Sequence, residues 1–146
     1  MPRRRRAFTR PACSALLLPA MKFQPDPSGP HTITAYGPGW VALGNERFTR
    51  SLLVLAGSGH TPWGAATFDE LTEADFAQLA DAGPELVIFG SGERLRFPRP
   101  AWLRPLAGRR IGLETMSTPA ACRTYNILAG EGRRVLAALL IGESSG

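Results

Sequence analysis

A chain of 146 residues, 44% hydrophobic and 20% charged, fits one domain with a real core, and its apolar runs fall short of the ~20 residues that cross a bilayer. Its net charge of +5 is local: Arg3, Arg4, Arg5, Arg6 and Arg10 precede Met21, and all 12 acidic residues follow it. The remainder balances at 12 basic against 12 acidic, which leaves no broad cationic face for a nucleic-acid backbone.

The leader "MPRRRRAFTRPACSALLLPA" is Arg-rich and free of acid, which suits a transit peptide or a twin-arginine signal. Its apolar stretch is short and ends in Pro-Ala, a poor export signal. A third reading places the true start at Met21. One lysine, Lys22, against 16 arginines, with abundant Ala, Gly and Pro, has the bias of a GC-rich bacterial gene and favours that reading. Residues 1–20 are expected to be disordered, and 21–146 to form a single domain.

From Met21, "TITAY" (32–36) alternates like a β segment, and "WVAL" (40–43), Gly44-Asn45 and "ERF" read as strand, tight turn, strand. "SLLVLAG" (51–57) is too short for a helix and reads as a strand covered on both faces. "SGHTPWGA" is expected to be a loop. "TFDELTEADFAQLADAG" (67–83) is the clearest helix, with a Thr-x-x-Asp cap at Thr72, an apolar stripe at Phe76, Leu79 and Ala80, and a Gly83-Pro84 stop. "ELVIFG" (85–90) is a buried strand, "PAWLRPLAG" (100–108) a short helix broken by Pro105, and "RRIGLETM" a further strand. "STPAACRTYNILAGEG" is the last helix and "RRVLAALLIG" the last strand. The alternation implies an α/β fold: a three-layer domain with a central mixed sheet flanked by helices and an added N-terminal β layer.

Ligands of open α/β sheets gather beyond the carboxyl ends of the strands. Two such ends are rich in polar groups. At "FGSGER", Gly90 and Gly92 permit a sharp turn and a close approach, and Ser91 and Glu93 add polar groups. At "ETMSTPAACRTYN", Ser117 precedes Thr118, which reads as an N-cap with Pro119 at the first helical position. Free amides there would favour a small anion. Arg123, one turn on, is placed to pair with Glu114 or Glu93. The plain structural alternatives are an ordinary glycine turn, good capping and a settled buried ion pair. Cys122 lies near the helix start but lacks a base, since His31 and His60 belong to other segments. Tyr125 reads as a core ring, and His60 as a surface residue. Cys13 and Cys122 form no CxxC or His/Cys cluster, so neither a disulfide framework nor a metal site is expected, and a reducing compartment fits.

"GNERFTRSLLVL", "VIFGSGERLRFP" and "GLETMSTPAACRTYNILAGEGRRVLAALL" together resemble the Mth938-like family, over Ile33 to Ile141. That family holds small bacterial and archaeal proteins of unassigned activity and the mitochondrial complex I assembly factor 3. The matched positions are Gly90, Ser91, Gly92, Thr118, Ala121, Arg123, Tyr125, Asn126, Glu131 and Arg133. The resemblance implies the three-layer domain and, by analogy, a non-enzymatic role in protein interaction or assembly, with respiratory-complex assembly proteins as partners. It carries no catalytic residue and no cofactor. Trp63, Trp102 or Phe97 would anchor such a partner. The alternative is a binder of, or enzyme on, a small anionic metabolite at the Gly90–Gly92 and Thr118 cleft. The expected location is a bacterial cytoplasm, or the mitochondrial matrix if the leader is a presequence.

Overall fold

The computed structural model describes residues 32–141. The leader, Cys13 and His31 lie outside the described residues. The order is β1 (Ile33–Gly37), β2 (Trp40–Leu43), β3 (Glu46–Phe48), β4 (Leu52–Leu55), β5 (Gly59–Pro62), α1 (Glu73–Asp81), β6 (Leu86–Gly90), α2 (Arg104–Gly108), β7 (Gly112–Met116), α3 (Thr118–Gly130) and β8 (Val135–Leu139). Short 3₁₀ turns at Phe68–Glu70 and Pro100–Leu103 precede α1 and α2.

Strands β4 to β8 form a five-stranded sheet in the order β5-β4-β8-β6-β7. β8 runs parallel to β6 and antiparallel to β4, so the sheet is mixed as expected. Side chains alternate across it because successive strand residues point to opposite faces. Leu53, Leu55, Val87, Phe89, Leu136 and Ala138 face one layer, made by α1, α2 and the Trp63 segment. Leu52, Val54, Ile88, Val135, Ala137 and Leu139 face the other, made by α3 and the antiparallel sheet β1-β2-β3. Full burial of each large member is worth ~1.5–3 kcal/mol, so a strand buried on both faces stabilises the fold twice over.

Several local expectations are corrected. "GHTP", read as loop, is the edge strand β5, paired with β4 from Leu52↔Pro62 to Leu55↔Gly59. Edge placement explains how it tolerates Pro62. The 67–83 helix starts only at Glu73, where Thr72 N–H donates to Asp75 Oδ2 at 2.9 Å, as its cap sequence predicts. Pro105 lies in the first turn of α2 and opens that helix rather than breaking it, because its missing N–H has no helical partner there. Trp63 is 4% exposed, edge-on to Phe76 and Phe89 at 6.1 Å, and cannot serve as a surface anchor.

Candidate functional site

The parallel strands β6, β7 and β8 end side by side, so their carboxyl ends and the start of α3 do converge. Gly90 C=O accepts from Leu140 N–H at 2.9 Å, and Ser91 N–H donates to Met116 C=O at 2.9 Å. Gly92 and Thr118 bind reciprocally: Thr118 N–H donates to Gly92 C=O at 2.8 Å, and Gly92 N–H donates to Thr118 Oγ1 at 2.9 Å. The Thr118 hydroxyl then donates to Leu140 C=O at 2.9 Å. One side chain thus joins the continuations of β6 and β8 to the start of α3. The helix begins at Thr118 itself, with extended Ser117 as the cap residue, so the threonine hydroxyl bridges strands instead of capping its own helix. This corrects the expected cap by one residue and changes its role.

Glycine is required at two of these positions. A Cβ on Gly90 would lie 3.0 Å from Thr118 Cα and 3.1 Å from Ala121 Cβ, so α3 packs directly on the strand. Gly92 has φ +105°, outside the range L side chains favour. Ser91 is fully buried; its hydroxyl donates to Arg94 C=O at 2.7 Å and accepts from Arg96 N–H at 2.9 Å. The hollow beside this junction, bounded by Tyr36, Trp40, Gly92, Glu93, Thr118 and Leu140, holds about 10 Å³, room for roughly one water. Glu93 is exposed at its rim.

Arg123 and Asn126 turn elsewhere, one helical turn apart on α3. Asn126 Nδ2 donates to Ile33 C=O at 2.8 Å and its Oδ1 accepts from Ile33 N–H at 2.9 Å, so the amide stands in for a neighbouring strand. Arg123 Nη1 donates to the Tyr36 hydroxyl at 3.0 Å rather than reaching Glu114 or Glu93. Both residues clasp β1 onto α3. Tyr36 and Ile33 were visible only as members of a β segment; their partners lie 87 and 93 residues away.

Cys122 and Tyr125 are fully buried on the sheet-facing side of α3. Burial pushes the Cys122 thiol up to about 12, only partly offset by the Arg123 charge, so the thiolate is suppressed. Burial likewise raises Tyr125 above its ordinary value. His60 is half-buried in β5, edge-on to Phe48 at 4.9 Å. Among the described residues no group of three or more His, Cys, Asp or Glu could hold a metal ion. A groove of about 600 Å³ lies at the other end of α3, lined by Gly57, Tyr125, Asn126, Gly132, Arg133 and Arg134. Its arginines are engaged at the rim: Arg133 Nε pairs with Glu85 at 2.8 Å, and Arg134 Nε donates to Gly83 C=O at 3.1 Å.

Comparison with known proteins adds three relatives. The chain is 34% identical over 104 residues to NADH dehydrogenase [ubiquinone] 1 alpha subcomplex assembly factor 3 of Bos taurus, covering 70% of this chain and 55% of that protein. It is 35% identical over 118 residues to an uncharacterised protein of Rhodobacter capsulatus, covering 80% of this chain and 90% of that one. The solution structure of a Mth938-like domain from Bordetella pertussis superposes with a TM-score of 0.68 at 30% identity, over 79% of this chain and 88% of that one. The chain spans about half the length of the mammalian relatives it matches. No helix among the described residues is long and apolar enough to cross a membrane. Residues 33–140 match the family described as protein of unknown function (DUF498/DUF598), and with its strand-end Gly-Ser-Gly and its α3 start locked together the chain belongs to that Mth938-like family.

Proposed function

We propose that this domain is a non-enzymatic assembly factor that works by binding other proteins, and that its clients are subunits or assembly proteins of respiratory complex I. One observation carries the reading: the buried polar groups of the strand-end junction, in Ser91, Gly92 and Thr118, are spent on bonds within the protein. A catalytic centre keeps groups free to meet a substrate. Here the same groups tie the strand ends to the helix start, and a relative 34% identical over 104 residues is named as an assembly factor. A small anion at this junction, the other reading, would have to displace the Gly92–Thr118 pair and enter a hollow of about 10 Å³.

Affinity capture from cells with the tagged full chain tests the proposal. Respiratory-complex subunits or their assembly proteins are the expected catch. Recovery of none of them above a scrambled-surface control would remove the reading.

A further inference from the structure

The overall neutrality of the folded part conceals a segregation. Between Ser51 and Glu93 there are seven acidic residues and no Lys or Arg, whereas residues 94–113 hold six arginines and no acid. The basic block opens with the segment after β6, "RLRFPR" (94–99), which belongs to no helix or strand. Its exposure alternates as in an extended chain: Leu95, Phe97 and Arg99 point outward, while Pro98 is buried and Arg96 half-buried over the Phe68 ring at 5.2 Å. Leu95 and Phe97 are 53% and 68% exposed, the large apolar side chains left outward beside the junction.

This segment is held rigid. The Ser91 hydroxyl grips Arg94 C=O and Arg96 N–H, and Pro98 and Pro100 restrict the backbone beyond. Rigid presentation lowers the entropy lost on binding. Guanidinium groups of this stretch are unspent: Arg94 and Arg104 are exposed and make no side-chain hydrogen bond or ion pair with the described residues. Arg99 lies over Trp102 at 5.5 Å.

Resting on the protein-binding reading above, we infer that Arg94–Arg104 is a docking strip for an acidic segment of a partner protein, anchored on Leu95 and Phe97 and braced by Ser91. Charge complementarity selects the acidic partner, and the two outward apolar side chains require apolar residues interleaved with its Asp or Glu. A flat anionic bilayer fits less well. Phe68, which Arg96 covers, is followed directly by exposed Asp69 and Glu70, and such acidic neighbours repel an anionic surface. A peptide chain can follow the arginines and avoid them.

The test uses the full chain and a fluorescent synthetic peptide alternating Glu with Leu and Phe, followed by anisotropy. A second peptide replaces Glu with Gln, and phosphatidylglycerol vesicles form a third arm. Saturable binding of the Glu peptide is expected, weakened about tenfold or more by Phe97→Ser or by Arg94→Glu with Arg99→Glu, at unchanged melting temperature. Ser91→Val should weaken it while every contact residue remains; the exposed-site variants decide the matter if that buried change unfolds the domain. Absent binding, equal binding of the Gln peptide, or indifference to the surface variants overturns the strip. Loop-dependent binding to vesicles without peptide binding replaces it with a lipid surface. If cellular capture works equally with wild type and the Phe97→Ser chain, the strip falls and the assembly reading stands; if wild type captures nothing, the assembly reading falls.

Discussion

Thr118 shows how one residue can be misplaced by local reading and still mark the right spot. Its neighbours Ser117 and Pro119 advertise a helix start, and a helix does start there. Its hydroxyl partners, Gly92 N–H and Leu140 C=O, are 26 and 22 residues distant, and no short window contains them. Thr118→Val keeps the shape and leaves both groups buried and unpaired, so a loss of ~1–3 kcal/mol is expected in urea denaturation, with the fold retained. A smaller loss would mean that water replaces the hydroxyl. A position near a helix start modestly favours a thiolate, and Cys122 occupies one. Spacing alone does not reveal that α3 turns this side chain into the sheet, where desolvation outweighs the nearby Arg123 charge.

At the scale of elements, α3 does two jobs on different faces. Ala121, Cys122 and Tyr125 pack on the five-stranded sheet, while Arg123 and Asn126 hold β1 and through it the three-stranded sheet. Asn126→Ala removes both bonds to Ile33. Hydrogen exchange should then speed up in β1–β3 by about tenfold or more while β6 and β8 stay protected, because local opening draws on local contacts. Uniform acceleration across both sheets would show that the layers unfold as one. The strongly buried strands β4, β6 and β8 were legible because continuous apolar runs admit few other structures. β5 was not: Gly59 and Pro62 look like punctuation, and only Gly59 and Thr61 are buried in it. An edge strand needs one neighbour and one covered face, and its pattern is correspondingly weak. Phe97, a candidate anchor, is outward, whereas Trp63, in a stretch with Gly59, Pro62 and Gly64, folds back into the core.

For the molecule as a whole, the buried titratable side chains of α3 set a limit at high pH. Burial raises Cys122 from 9.0 to about 12, so between those values the unfolded chain has released a proton that the folded chain retains. The stability this confers is complete below pH 9.0 and is lost as pH climbs toward 12, by up to ~1.4 kcal/mol per pH unit. Tyr125, raised from 10.0 by the same cause, acts in the same direction at higher pH. Urea midpoints measured across this window should fall, and Cys122→Ala should fall less steeply. Equal slopes would show that the thiol does not govern the alkaline limit.

β8 lies between β4 and β6 and, among the described residues, is the last strand to be synthesised. On the ribosome, the β4–β5 hairpin and the β6–β7 pair therefore leave the exit tunnel before the strand that joins them, each with an open edge facing the other. Such edges invite pairing with foreign chains. The nascent polypeptide is a natural client for a holding chaperone, and a message cut short before codon 135 would yield two sticky half-sheets instead of a smaller domain.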